Sequence, residues 1–506
     1  MSDRKFDVVV IGAGLGGLEV AYTLANEGMS VCVLEKNQQL GGSLQVFSRE
    51  KTIFDTGVHY IGGLLPGQNL HRYLSFFGIM DKLKLQRMDI DGYDLCSMEG
   101  DPNEYPHAQG YDNFIRRLVE YFPAEKAGIT QYTEEIKRMC GKFPLYNLED
   151  TDTQEWKDDD LGLNAKDFIA TMVKDPTLRN VLGGSSALYA GDGRYSPFYV
   201  HALVTNTYIE SSWRCIDGGS QIAKHLTHNA REKGATVIAR KEVCGFDFHG
   251  NEISAVRTTD GDVFECKHVI ANIHPATLLG MIGPGHIRPA YRNRLTSLRN
   301  TPGSFTVHAV MKPGMFPYLN HNYYHMIGTD VWDAVRYDRV NYPNSYMLST
   351  PKSTRGGDHA DAITIMCYMD YDEVAQWADT HNTIVRPGKR GDDYEAFKRR
   401  KEEQVLNVVE RKFPGIKSCI QSVHSNTPLS FRDFIGSPDG NMYGIMKDHS
   451  DPLRTFIPPR TKIPNLLLTG QNINLHGILG VTVSSIVTAS ELVGKSHLLK
   501  KVRAAS

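Results

Sequence analysis

The hydrophobic pattern of the first 35 residues predicts a strand, a helix and a second strand. Residues 6–11 form an apolar run typical of a buried strand, and apolar residues at helical spacing follow it. Gly28 stands where such a helix would end. Residues 30–34 are rich in β-branched side chains and lead to Glu35. Together these elements predict a βαβ unit of about thirty residues.

The rest of the chain alternates predicted helices and strands. Further helices are predicted over residues 111–121, 129–139, 222–233, 392–413 and 480–493. Further strands are predicted over residues 235–239, 252–259, 263–270 and 465–468, two of them joined as a hairpin by residues 260–262. Short apolar runs between Pro and Gly predict a β-rich layer over residues 300–390. Residues 149–160 predict an acidic loop. The basic stretch 495–503 is expected to be a solvated chain end, with contact to anionic lipid as the alternative.

The glycine-rich turn after the first strand carries the strongest chemical signal. Residues 12–17 read GAGLGG. Gly12 permits a tight turn, Gly14 lets a pyrophosphate approach the backbone, and Gly17 lets helix and strand pack closely. The helix N-terminus faces the phosphates, and Glu35 can accept hydrogen bonds from ribose hydroxyls. The pattern predicts a dinucleotide-binding site; the alternative is a coincidental turn in a unit that binds no nucleotide.

Later glycine clusters suggest that more of the chain reaches the cofactor. Gly41-Gly42, just past Glu35, indicates a backbone loop against a cofactor, unless it is an ordinary surface turn. The pair at residues 218–219, before a helix, permits a close approach to a ligand, and Asn272 follows a later strand. Residues 470–480 predict a second helix N-terminus suited to anionic or electron-rich groups.

Three residues near these clusters are candidates for catalysis: His59, Tyr60 and His476. Each has a structural alternative, because a histidine is often bonded to backbone and a tyrosine often packs in a core. The sequence contains no Walker A, HExxH or GxSxG pattern. Without a conventional catalytic constellation, the cofactor itself is expected to perform the chemistry.

Composition narrows the class of protein further. The 506 residues suggest roughly three domain-sized units. Lys and Arg number 56 against 58 Asp and Glu, and the net charge of −2 removes the electrostatic argument for a nucleic-acid partner. No two of the eight cysteines lie within 21 residues of each other, so no zinc pattern exists and no metal is expected. The chain shows no signal peptide and no apolar stretch of membrane-spanning length, which predicts a cytoplasmic protein, with peripheral membrane contact left open.

The order of these motifs resembles that of the FAD-dependent phytoene desaturase family. The glycine fingerprint with Glu35 is followed in family order by residues 40–42 (LGG), 54–57 (FDTG), 217–219 (DGG) and 469–471 (TGQ). Residues 57–62 (GVHYIG) and 437–444 (SPDGNMYG) are similar to the branch of carotenoid isomerases and retinol saturases. The resemblance covers essentially the whole chain.

The resemblance implies an α/β fold with a Rossmann-like FAD-binding domain assembled from discontinuous segments, plus an α+β substrate-binding domain. Residues 1–95, 215–290 and 425–506 would form the first domain, and residues 96–214 and 291–424 the second. FAD would be held by Gly12, Gly14, Leu15, Gly16, Gly17, Glu35, Lys36, Gly41, Gly42, Ser43, Val58, His59, Val243, Asn272, Gly470, Gln471, Gly480 and Val481. Many members of the family carry an acid where this chain has Asn472, which can accept a hydrogen bond from a ribityl hydroxyl but brings no charge.

The resemblance also implies an oxidoreductase that acts on C=C bonds of an apolar isoprenoid or polyene lipid, by hydride exchange with flavin N5. His59, Tyr60 and His476 would lie near the flavin ring. Desaturation, saturation and isomerisation share these parts, and the electron partner stays open. One alternative is a flavin amine oxidase, with Tyr323, Tyr324 and Tyr443 as an aromatic cage. The other is a prenyl-lipid carrier on a related fold that has lost FAD.

Overall fold

The structure, a computed structural model, describes residues 5–150 and 158–505. Residues 151–157 of the predicted acidic loop lie outside the described residues, and residues 158–160 of it belong to a helix, so the loop prediction is wrong there. The strands are β1 (Lys5–Ile11), β2 (Val31–Leu34), β3 (Val46–Arg49), β4 (Thr52–Asp55), β5 (Ile61–Gly62), β6 (Leu85–Arg87), β7 (Asp94–Met98), β8 (Glu104–His107), β9 (Ser212–Cys215), β10 (Thr236–Ile238), β11 (Val243–His249), β12 (Glu252–Thr258), β13 (Val263–Ala271), β14 (Gly303–Met311), β15 (Asn322–Met326), β16 (Ser345–Ser349), β17 (Ala362–Met369), β18 (Ile420–Asn426) and β19 (Leu466–Leu468).

The helices of the described residues include short single turns as well as long packed helices. They are α1 (Leu15–Asn26), α2 (Asn69–Phe76), α3 (Tyr111–Tyr121), α4 (Lys126–Gly141), α5 (Asp158–Leu161), α6 (Ala165–Met172), α7 (Pro176–Gly183), α8 (Phe198–Glu210), α9 (Ser220–Glu232), α10 (Pro275–Met281), α11 (Pro289–Thr296), α12 (Asp392–Lys412), α13 (Ile416–Cys419), α14 (Pro428–Ile435), α15 (Pro452–Thr455), α16 (Gly477–Val493) and α17 (Lys495–Ala504).

The first sheet confirms the βαβ unit predicted at the N-terminus. Its strand order is β10-β2-β1-β13-β12-β11, and β19 pairs with β13. The pairs β1–β2, β1–β13, β2–β10 and β13–β19 are parallel, whereas β12 forms the predicted hairpin with β13. Helices α1, α9 and α16 cover one face, where α1 packs on both of the others. Because the strands come from three separated parts of the chain, this sheet is assembled discontinuously, as the resemblance implied.

The carboxyl ends of four parallel strands meet at one edge of this sheet. Strands β1, β2, β13 and β19 lead directly into Gly12, Glu35, Asn272 and Thr469. In parallel α/β sheets, ligands bind at this edge. The fold therefore brings together residues that are more than 400 positions apart in the sequence.

The second sheet is mainly antiparallel, with the order β18-β14-β17-β16-β15-β7-β8. Strands β14 and β17 are buried along their whole length, as expected of central strands. Helix α12 packs on this sheet with the face that its sequence predicted, formed by Tyr394, Phe397, Val405, Val408 and Val409. We propose that the two sheets mark the two domains. The predicted domain limits are not tested by the structure. Three of them fall inside strands β7, β9 and β18, and the fourth falls inside helix α11.

The basic stretch near the C-terminus is not a solvated chain end, and that prediction is wrong. It forms helix α17, whose Leu498, Leu499 and Val502 are fully buried and which packs on α2. Its Lys501 ammonium donates to Glu27 at 2.6 Å. The apolar spacing of one and four residues, which places these side chains on one helix face, outweighs the local excess of positive charge.

Candidate functional site

A cavity of about 330 Å³ lies at the carboxyl edge of the first sheet. We call it the sheet-edge cavity. The predicted site residues that line it are Gly12, Gly14, Leu15, Gly16, Glu35, Lys36, Gly41, Gly42, Ser43, Val58, His59, Tyr60, Val243, Asn272, Gly470, Gln471 and Val481. Gly17, His476 and Gly480 do not line it. Most of the residues singled out in the sequence thus converge on one space.

Glu35 organises the loop at one end of the sheet-edge cavity. Its Oε2 accepts from the Ala13 backbone N–H and its Oε1 accepts from the Asn37 N–H, both at 2.9 Å. Burial raises the pKa of the Glu35 carboxyl, and these two hydrogen bonds oppose that rise. Each carboxylate oxygen keeps a further lone pair. The carboxylate can therefore accept a hydrogen bond from a hydroxyl group in the cavity while it fixes the loop.

The Asn272 side chain joins the N-terminal glycine loop to the C-terminal loop. Its Nδ2 donates to the Gly12 carbonyl at 3.2 Å. A Cβ atom on Gly470 would lie 2.4 Å from Asn272 Oδ1, and one on Gly17 would lie 2.1 Å from the Gly12 carbonyl oxygen. Both distances are far below any real Cβ contact. Gly17 and Gly470 are thus required by protein packing itself, and they leave the edge of the sheet free for a ligand.

Two helix N-termini point at the sheet-edge cavity. Helix α1 begins beside Gly14, and helix α16 begins at Gly477. The first N–H groups of a helix have no partner within the helix and carry partial positive charge. The buried Thr469 Oγ1 in the same cavity also has no hydrogen-bond partner. Such a set of free donors fits a ligand with a pyrophosphate and a ring rich in acceptor atoms, as FAD has.

One wall of the sheet-edge cavity is formed by residues that the sequence did not predict to be part of a site. It is the end of helix α14, with Phe431, Phe434, Ile435 and Gly436. This helix is bonded to the loop that follows β2, since Lys36 Nζ donates to the Asp433 carbonyl at 3.0 Å. The sequence offers one indication of this wall: helix α14 directly precedes residues 437–444, a segment similar to the carotenoid isomerase and retinol saturase branch. Tyr208, Met347 and Met366 also line the cavity and carry no motif.

The glycine pair at residues 218–219 does not reach this cavity. The Gly219 N–H donates to Asp55 Oδ1 at 2.7 Å, and a Cβ on Gly218 would lie 2.7 Å from Val46. Burial raises the pKa of Asp55 to about 7. The close backbone approach that these glycines permit is to β3 and β4, so the predicted approach to a ligand is corrected to a contact within the protein.

A second cavity, of about 360 Å³, adjoins the first. We call it the apolar cavity, because most of its lining is hydrophobic: Ile61, Leu70, Phe143, Pro144, Leu145, Leu161, Leu203, Val204, Leu453, Phe456, Leu475, Leu479, Val483 and Val487. His476 and Gly480 line this cavity instead of the first. Tyr60, Leu188, Tyr208, Gly477 and Ile478 line both. The two cavities therefore share a wall.

Tyr60 stands in that shared wall and belongs to a buried polar network. Its hydroxyl donates to Asp94 Oδ2 at 2.7 Å and lies 2.9 Å from the Tyr324 hydroxyl. Asn322 Nδ2 donates to the other Asp94 oxygen at 2.8 Å and its Oδ1 accepts from the buried Arg214. Burial raises the pKa of Tyr60 well above 10.0 and that of Asp94 to about 7. The network therefore holds protons next to both cavities.

The two candidate histidines are neutral at pH 7. Burial lowers the pKa of His59 to about 4, helped by the charge of Arg214. Burial lowers the pKa of His476 to about 4 as well. The His476 ring lies 4.8 Å from the ring of Tyr443, which lines the sheet-edge cavity. Neither imidazole is a strong acid at this site, although a neutral ring can still give or accept a hydrogen bond.

Two of the three tyrosines considered for an aromatic cage line the sheet-edge cavity. These are Tyr324 and Tyr443. Tyr323 points elsewhere and donates to Glu104 at 3.2 Å. Among the described residues, no three His, Cys, Asp or Glu side chains are grouped so that they could hold a metal ion. Over the same residues, no helix has the length and apolar character needed to cross a bilayer.

The glycine-rich turn, the strand-end acid and the adjoining apolar cavity fit an oxidoreductase that binds a dinucleotide cofactor. The chain belongs to the flavin containing amine oxidoreductase family, whose sequence model matches residues 15–378. This membership confirms the predicted FAD cofactor and the prediction of an enzyme.

The relatives point to one branch. The chain is 28% identical to a human protein named all-trans-retinol 13,14-reductase, over 97% of this chain and 86% of that protein. It is 24% identical to prolycopene isomerase 1 of an Oncidium hybrid, over 98% and 85%. These relatives confirm the resemblance drawn from the motifs. A triple mutant of putrescine oxidase has the same fold, with a TM-score of 0.66, 14% identity and coverage of 97% of this chain and 99% of that one.

Proposed function

We propose that the protein exchanges a hydride between bound FAD and a carbon of a C=C bond in an apolar polyene lipid. The observation that carries this proposal is the wall shared by the two cavities, formed in part by Tyr60, Leu188 and Tyr208. An apolar chain in one cavity would contact a ring held in the other. The names of the retinol reductase and prolycopene isomerase relatives support a polyene as the substrate.

We propose that the residues lining the sheet-edge cavity hold the cofactor. Glu35 and Val243 would bind the adenosine, and the N-terminus of α1 would face the pyrophosphate. Gly470, Gln471 and the N-terminus of α16 would hold the other end. FAD, when bound, supplies the hydride acceptor or donor. Gly17 and Gly480 act by packing, because neither lines this cavity.

Tyr60 and Asp94 are suited to move the proton that accompanies the hydride. Saturation of a C=C bond adds a hydride to one carbon and a proton to its neighbour, and desaturation removes both. The Tyr60 hydroxyl keeps its proton at neutral pH, since burial raises its pKa. Asp94, with a pKa of about 7, accepts the hydrogen bond from Tyr60 and can return a proton to it. We therefore assign proton transfer to this pair.

The mouth of the apolar cavity suggests where a lipid enters. Leu453 is 64% exposed and Phe456 is 52% exposed, and both line that cavity. Exposed apolar side chains at a cavity mouth are suited to contact with a membrane surface. We propose that the substrate passes between these side chains from such a surface. The cytoplasmic location stays a prediction.

Oxidation of an amine is the second candidate. Tyr60, Tyr208, Tyr324 and Tyr443 line the sheet-edge cavity and could form an aromatic cage. However, no acidic residue is among the described residues that line the apolar cavity, and its one charged residue is the cation Lys447. A protonated amine would be repelled there. The electrostatics thus favour the polyene.

The test compares both substrate classes on the flavin-loaded protein. The flavin is photoreduced without oxygen, and all-trans-retinol or a poly-cis carotene is added. We expect reoxidation of the flavin, or isomerisation of the polyene, with products separated by chromatography and identified by mass. Peroxide release driven by amines, without any change in a polyene, would overturn the proposal.

A further inference from the structure

Four cationic side chains are buried in the described part of the chain: Arg214, Arg390, Lys401 and Lys447. Lys401 lies 2.7 Å from a Glu373 carboxylate oxygen, and Arg390 pairs with Asp433. The Arg214 guanidinium donates hydrogen bonds to backbone carbonyls and to the Asn322 side chain. Buried charges in proteins are normally matched in this way. Lys447, like Arg214, forms no ion pair with any described acid, but it differs from Arg214 because it donates only two hydrogen bonds.

The position of Lys447 leaves one of its donors for a ligand. Its Nζ donates to the Thr455 carbonyl at 2.9 Å and to the Ile473 carbonyl at 3.2 Å. An ammonium group has three N–H donors. The side chain lines the apolar cavity, and it makes no third hydrogen bond with any described residue. Burial lowers the pKa of Lys447 to about 7, which reflects the missing counter-charge.

Two further polar side chains lie on the same part of the cavity wall. Asn474 follows Ile473, whose carbonyl Lys447 binds, and it lines the cavity. His476 lines it as well, and its buried Nε2 atom has no hydrogen-bond partner. The rest of the described lining is apolar apart from Thr207 and tyrosines. The cavity thus has one cationic, polar region in an apolar surround.

We propose that Lys447 binds a carboxylate at one end of the lipid in the apolar cavity, so that the substrate is a polyene acid rather than a hydrocarbon. An apolar surround would make a lone carboxylate costly, and an ion pair with Lys447 offsets that cost for both groups. A cavity of about 360 Å³ is of the size that encloses one small ligand. That the chain is a polyene rests on the function proposed above.

The test measures binding, not turnover, on the flavin-loaded protein. All-trans-retinoic acid and its methyl ester are titrated separately, and the quenching of tryptophan fluorescence gives each Kd. The two probes share the chain and differ in the charge. We expect the acid to bind about ten- to a hundredfold more tightly, the ratio typical of a hydrogen bond to a charged group. Lys447→Met should remove that preference and keep the affinity for the ester.

Lys462→Met, which removes a cation from the surface, is the matched control and should keep the preference. If Lys447→Met does not fold, Lys447→Gln replaces it, and the acid-to-ester ratio of the unaltered protein is itself decisive. Equal binding of acid and ester, or no saturable binding of the acid, would overturn the inference. Turnover of a hydrocarbon carotene without any preference for acids would leave the proposed function standing. Binding of the acid through Lys447 without hydride transfer to any polyene would support the carboxylate site and contradict the proposed function.

Discussion

The two cavities are built in different ways. The sheet-edge cavity is bounded largely by backbone: glycine turns, strand ends and two helix N-termini. The apolar cavity is bounded by side chains from α8, α16, the loop at residues 143–146 and the segment around α15. Backbone geometry restricts which residues are allowed, whereas an apolar surface can be made from many side chains. The first cavity can therefore keep one ligand while the second is altered.

The largest effect, on flavin binding, is expected from a substitution beside the sheet-edge cavity. In Gly17→Ala, the new Cβ would lie 2.1 Å from the Gly12 carbonyl oxygen, so α1 must move away from the turn. We expect nearly complete loss of bound flavin, measured as the ratio of flavin to protein after purification. Gly280→Ala is the control, since a Cβ there meets no atom within 4 Å and α10 is helical. Retention of flavin in Gly17→Ala would contradict the role of this packing contact.

The next largest effect, on turnover, is expected from a substitution in the wall that the two cavities share. Tyr60→Phe removes the hydroxyl between Asp94 and Tyr324 and should lower turnover by about 10²- to 10⁴-fold, the range for a lost proton-transfer group. Flavin content should not change. Tyr93→Phe is the matched control, because the Tyr93 hydroxyl is buried without a partner and lines neither cavity. Equal losses in the two variants would show that Tyr60 acts only by packing.

The difference between a cavity bounded by backbone and one bounded by side chains explains what could be predicted from the sequence. The glycines at 12, 14 and 17, together with Glu35, are recognisable because a tight turn and a close approach admit few residues. The second cavity has no such restriction, so Leu203 and Val204 resemble any core residue of a helix. Tyr60 was found next to a glycine motif, but its partner Asp94 depends on pairing between β7 and β15, which no local pattern encodes. Helix α17 is hard to recognise in the sequence, because its excess of Lys and Arg obscures the apolar spacing of Leu498, Leu499 and Val502.

A smaller effect is expected from narrowing the apolar cavity alone. Val204 of α8 lines that cavity and is partly buried, so Val204→Phe places a ring in the space of the substrate. We expect KM for the polyene to rise about tenfold or more, with the flavin spectrum unchanged. Val263→Phe, on an exposed face of β13, is the control for the added ring. An unchanged KM would place the substrate outside this cavity.

The last effect concerns the pH dependence of stability that Lys447 confers. Its pKa is about 7 in the folded protein, below the ordinary 10.5, so between these values the unfolded chain binds the additional proton. Stability from this group is therefore full above pH 10.5 and is lost as pH falls toward 7. Denaturant unfolding of the ligand-free protein should show a difference between wild type and Lys447→Met that grows by about 1.4 kcal/mol per pH unit within this window. Lys462→Met should show no such slope.

A bound acid would change this result in a specific way. A carboxylate beside Lys447 favours the charged ammonium and raises its pKa toward the unfolded value. The slope between wild type and Lys447→Met should therefore shrink when retinoic acid is present and persist when the methyl ester is present. A slope that neither ligand alters would mean that the carboxylate does not reach Lys447. Because this readout is stability, it separates the electrostatics of the apolar cavity from anything that happens at the sheet-edge cavity.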